Sequence, residues 1–155
     1  MRTVLPDSTR REGSDVDLQA IGDKLEIQEQ LARYARGVDT RDWDLWRSVF
    51  TPDAVVDYSR SGFACGPRDE VADALAQAFA TIPWATHHVT NVEIDLDGDR
   101  AQVRAMFYNP MQLPGMETSS ATGGYYRHEF VRTPEGWKSA HLIEEPMWFL
   151  NGPAA

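Results

Sequence analysis

The chain carries a single cysteine, Cys65, so no internal disulfide can form and a reducing compartment suits it best. Cys65 lies in GFACG with no basic cluster to activate a thiol, and is expected to be a buried, inert side chain. Basic residues are in deficit: 15 Lys and Arg stand against 24 Asp and Glu, a net charge of −9. That balance repels phosphate backbones and anionic headgroups, which makes nucleic acid and membrane surfaces poor partners. No apolar run approaches roughly 18 residues, so no bilayer span is expected. The N-terminal MRTVLPDSTRREGSDVD also lacks the apolar core of a secretion signal. A cytoplasmic protein is the expectation. Four histidines and one cysteine show no recognised ligand spacing, and no glycine-rich phosphate loop is present. Neither a metal nor any other cofactor is expected.

What is present suits one globular domain. The chain has 155 residues, and its aromatics are spread along it. Residues 1–16 are polar and aperiodic and read as a flexible arm, leaving 17–155 as the domain. From Asp17 the period is helical: Ile27, Leu31, Tyr34 and Val38 form one apolar stripe, with Leu18, Ile21 and Leu25 extending it. Gly37 weakens that helix near its end. A second, shorter helix is expected over 42–50, where Trp43, Trp46 and Phe50 share a face, and Thr51-Pro52 stops it. Strands are expected at 54–58 and 61–66. A third helix starts at Pro67 and buries Val71, Leu75, Phe79 and Ile82.

Beyond Pro83 the period changes to two. Strands at 86–96 and 100–108 flank Asp97-Gly98, a hairpin signal, and strands at 125–132 and 137–144 flank TPEG. The Gly/Ser/Thr-rich segment 111–124 reads as a long connection with the composition of a lid. Three helices followed by a mostly antiparallel sheet predict an α+β domain. Its curved sheet would cup the helices as a cone-shaped barrel and enclose a pocket of the kind that takes small molecules.

Four stretches carry a family resemblance: VDTRDWDLW at a helix end, FTPDAVVDY after it, HHVTN at a strand start, and GYYRHEFVRTPEGWK near the C-terminus. Together, over roughly residues 18–149, they resemble the SnoaL-like branch of the nuclear transport factor 2-like superfamily, with its cystatin-like cone. That superfamily hosts many reactions on one fold, so fold follows from the resemblance more firmly than activity does. Scytalone dehydratase is similar in its Asp before a DW helix start and its Tyr in a DY strand, here Asp39 and Tyr58. Hexachlorocyclohexane dehydrochlorinase and bile acid 7α-dehydratase are similar in pairing an Asp at the end of helix one with a His before a T-N motif. Asp39 and His87 stand at the same separation, and Tyr34 precedes Asp39 as a Tyr does in the bile acid enzyme. The resemblance implies His87 as base and Asp39 as its partner, and a homo-oligomer, dimer or trimer. Two departures count against either exact reaction: Leu142 stands where the dehydrochlorinase has an Arg, and Val38 where scytalone dehydratase has a Tyr.

The chemistry is coherent. A histidine base needs a carboxylate to fix its tautomer and steady its imidazolium, and a tyrosine hydroxyl in a dry cavity can face charge developing on oxygen. Asp39, His87 and one of Tyr34 or Tyr58 form a minimal set for elimination or enolisation. Trp43, Trp46, His88, Asn109, Tyr126 and His128 are the candidates for lining the substrate pocket. His87 and His88 conflict. Strict alternation puts His88 on the apolar face with Thr90, Val92, Ile94 and Leu96, whereas the family motif selects His87. A bulge near the strand start would switch faces and reconcile the two. The expected function is a cofactor-independent lyase or isomerase acting on a hydrophobic cyclic oxygenated small molecule. The alternatives are a non-catalytic binding or assembly module, or a cyclase or epoxide hydrolase.

Overall fold

A computed structural model describes residues 16–152. The arm expected at 1–16 lies outside the described residues except for Val16. Helix α1 (Leu18–Thr40) begins where the Asp17 carboxylate accepts the Ala20 N–H, a side-chain cap. Its buried stripe is Ile27, Leu31, Tyr34 and Val38, but Leu18, Ile21 and Leu25 are exposed. The first turns instead bury Asp23. Its carboxylate takes both Arg132 Nη atoms at 2.8 Å, the Trp137 indole N–H at 3.0 Å and the Gln19 amide at 3.0 Å. An ionic anchor therefore replaces the apolar contacts expected there.

Arg41, at a left-handed φ of 58°, ends α1, and Asp42 caps helix α2 (Trp43–Ser48) by accepting the Leu45 N–H. The two helices meet at Gly37, where a Cβ would stand 2.9 Å from both the Cβ and the backbone N of Trp46. The glycine that weakens the helix is what lets its neighbour approach. Gly37→Ala is therefore expected to destabilise by about 1–3 kcal/mol, although alanine is the better helix former by roughly 0.5–1 kcal/mol. The urea midpoint measures it.

Phe50 does not close α2; it opens strand β1 (Phe50–Asp57). A 3₁₀ turn, Ser59–Ser61, follows, then a three-residue strand β2 (Cys65–Pro67) in place of the longer partner expected at 61–66. Cys65 is exposed rather than buried, and partial desolvation and the nearby Asp57 carboxylate push its thiol up, away from reactivity. Helix α3 (Arg68–Phe79) packs Val71, Ala72 and Leu75 against β1. Strands β3 (His88–Asp97), β4 (Arg100–Met111), β5 (Ser120–Thr133) and β6 (Gly136–Leu150) complete one six-stranded sheet in the order β2-β1-β6-β5-β4-β3. All pairs are antiparallel except β1 with β6.

The sheet extends further than periodicity suggests, because β5 runs through SATGG and leaves only residues 112–119 as connection. Gly123 and Gly124 read as loop by composition. In the sheet they are required by close approach: a Cβ on either would overlap the Trp148 ring or the Glu145 carbonyl of β6. Helices lie on one face of this mixed sheet as an α+β cone. Ile27 and Leu31 cover Val103, Phe130 and Trp137, while Tyr34 and Val38 cover Val56, Phe107, Tyr126 and Leu142.

Candidate active site

Asp39 is in the last turn of α1, and His87 immediately precedes β3. The chain between them folds back so that Asp39 Oδ1 lies 2.7 Å from His87 Nδ1. Both carboxylate oxygens also accept the His87 backbone N–H at 3.0 Å. The histidine is thus gripped at main chain and ring together, and Nδ1 is the protonated nitrogen because a carboxylate faces it. Nε2 keeps its lone pair, and the Asn109 amide N–H donates to it at 2.9 Å. The Asn109 Oδ1 is buried without a partner among the described residues. Arg41 steadies the incoming loop by donating from its guanidinium to the Phe79 and Ile82 carbonyls.

The two histidines part company at a bulge. The β3–β4 register shifts between Thr90 and Glu93, and Asn91 takes a φ of 50°. His87 and Val89 therefore share the inner face with Val92, Ile94 and Leu96. His88 is on the outside, exposed, its ring 5.9 Å from that of Tyr108. The strict alternation that favoured His88 holds only after the bulge, and His88 does not line the pocket.

His87 and Asn109 open on a cavity of about 620 Å³. Its floor holds Tyr34, Tyr58 and Tyr126; Val38, Leu75, Phe79, Ile82, Met111, Leu113, Trp148 and Phe149 supply apolar wall. The Tyr34 and Tyr58 hydroxyls bond each other at 2.8 Å, and the Tyr34 and Tyr126 rings meet edge to face at 5.2 Å. Burial pushes all three phenols well above their ordinary range, so they remain neutral donors. Sequence reasoning did not single out Glu144 and Ser61, which also line the cavity. Alternation through Leu142, Glu144 and Pro146 places Glu144 inward, but the alternating pattern reads as ending at 144, and the signal falls on that boundary.

Three other candidates are elsewhere. Trp46 is wholly buried in the core beside Phe50, and Trp43 packs edge-on against Phe79 from behind. Each shields the cavity wall without reaching its surface. His128 lies beneath Tyr34 and Tyr126 with Nδ1 2.9 Å from Ser139 Oγ. Burial pushes His128 down to about 3, so it is neutral. The unfolded chain takes up this proton near pH 6.5 and the folded chain only near 3, so stability is lost as pH falls through that window. In His128→Gln the baseline stability should drop, yet the change in urea midpoint between pH 7 and pH 5 should be smaller than in the parent.

Among the described residues, no three His, Cys, Asp or Glu side chains are grouped to hold a metal ion, and no helix is long and apolar enough to cross a membrane. The profile of the SnoaL-like domain matches residues 19–143. The chain belongs to the SnoaL-like family. An uncharacterized Mycobacterium tuberculosis protein is 35% identical over 132 residues, covering 84% of this SnoaL-like chain and 90% of its own. A Novosphingobium aromaticivorans structure, provisionally named an aromatic ring hydroxylase, shares 30% identity at a TM-score of 0.77, covering 84% and 93% of the two chains. Hexachlorocyclohexane dehydrochlorinase LinA-type3 from Novosphingobium barchaimii shares the fold at a TM-score of 0.77 with 21% identity, covering 89% and 97%. These similarities give the SnoaL-like domain the cone-shaped α+β fold seen in its structural neighbours.

Proposed function

We propose that the protein is a cofactor-independent base catalyst, a dehydratase-type lyase or a double-bond isomerase acting on a hydrophobic cyclic oxygenated small molecule. The observation that carries this reading is the Asp39–His87 pair set in the wall of a largely apolar cavity. Asp39 fixes the tautomer, so Nε2 is the nitrogen that removes a carbon-bound proton. Nε2 rests on the Asn109 amide, and an arriving ligand displaces that N–H. A half-turn of the amide would then offer the unpaired Oδ1 to the imidazolium N–H. The neutral tyrosines are donors for the oxygen on which charge develops. A cavity of about 620 Å³ is of ordinary size for a small-molecule site.

The test separates proton removal from the choice of leaving group. 2-Tetralone, a bicyclic ketone with acidic α-protons, is incubated with the protein in D₂O, and deuterium incorporation is followed by NMR. Saturable exchange, faster than in buffer alone, is expected. Exchange no faster than the buffer rate at saturating protein would remove the base-catalyst reading.

A further inference from the structure

The cavity holds one carboxyl that the mechanism above leaves idle. Glu144 enters from β6, which β5 and β4 separate from β3, the strand that His87 precedes. Its Oε1 accepts the Ser61 hydroxyl, and among the described residues no cation pairs with it. The surrounding groups explain why. Arg60, which also reaches the mouth, is committed to Glu145 at 2.8 Å, and Glu145 is held in turn by Arg127 at 2.7 Å. Tyr126 stands opposite Glu144 in the β5–β6 register. Tyr34 of α1 and Tyr58, after β1, face the same space with neutral hydroxyls, and Asp39 is taken up by His87. Burial raises the Glu144 carboxyl above the usual carboxylate range; Ser61 and the more distant His87 offset part of that rise. An apolar ligand that expels water from the cavity moves it further in the same direction.

We propose that Glu144 is the acid of this site, donating its proton to a ligand oxygen while His87 works from another wall, and that the pair selects ligands with an oxygen placed to meet it. This rests on the base-catalyst reading. In an elimination the C–H proton passes to His87 Nε2, and the C–H electron pair becomes the new C=C bond. The C–O bond breaks with its pair on oxygen, and the Glu144 proton completes the departing water. Imidazolium and carboxylate then reset by exchange with solvent at the mouth. The same proton, shared with a ketone oxygen, stabilises an enolate without departure. Ser61 orients the carboxyl and is a positioning residue.

The experiment compares 2-tetralone with tetralin, the hydrocarbon lacking its oxygen, by calorimetric titration from pH 5.5 to 8.5. The parent is expected to bind the ketone at least tenfold more tightly than tetralin at pH 5.5, and to lose most of that preference as Glu144 ionises. Glu144→Gln retains an N–H donor of the same shape, so it should keep the preference and lose the part of the pH dependence that Glu144 supplies. Glu144→Leu should keep only the smaller, pH-independent ketone preference that the neutral tyrosine hydroxyls supply. A ketone preference with the parent's pH profile in both variants would overturn the role of Glu144 and leave the His87 exchange reaction standing. If neither compound binds, the cavity is not an apolar ligand site, and both readings fall together.

Discussion

His87→Ala is expected to abolish deuterium exchange into 2-tetralone, lowering the rate by about 10³-fold or more, toward the buffer value. The side chain is removed from a cavity wall rather than from the core, so thermal unfolding should move by only a few degrees. The loop stays tethered through the backbone N–H that Asp39 accepts and the carbonyls that Arg41 holds. Asp39→Asn should cost about 10²-fold or more by a different route. The amide presents either a donor or a neutral acceptor to Nδ1, so the ring loses its enforced tautomer and the imidazolium its counter-charge. The two single losses should not multiply in the double variant, because Asp39 acts only through His87. A His87→Ala protein that folds normally and exchanges at the parent rate would reject His87 as the base.

The largest effect on stability is expected at the far end of the same helix. Asp23→Ala removes a carboxylate that answers Arg132, Trp137 and Gln19 at once. Arg132 has the neighbouring Asp99 at 2.8 Å and part of its side chain in solvent, which softens the loss. A destabilisation of about 3 kcal/mol follows, or roughly 6–12 °C in melting temperature. The Arg132 hydrogen bonds hold the Asp23 carboxyl well below the usual carboxylate range. The unfolded chain binds this proton near pH 3.9 while the folded chain resists it. Its stabilisation is therefore complete above about pH 4–5 and is lost as pH falls through the folded value. Acid unfolding followed by circular dichroism should show the parent losing this increment and Asp23→Ala lacking it. Equal acid limbs in the two proteins would show that the anchor carries no linkage.

Local chemistry was legible in the order of residues. The Ile27–Leu31–Tyr34–Val38 stripe, the Asp97-Gly98 hairpin and the change of period after Pro83 each depend on residues a few positions apart. Asp39 and His87 could be nominated because motif spacing marks them, but no local rule says which of two adjacent histidines turns inward. That was decided by one residue at a left-handed φ, Asn91, whose bulge inverts the faces of β3. Gly123 and Gly124 read as loop until β6 lies against them. The Asp23 anchor, which leaves Leu18 and Leu25 exposed, likewise depends on partners more than a hundred residues away. Sequence periodicity reports how a segment meets water, and only packing of distant segments reports what it meets instead.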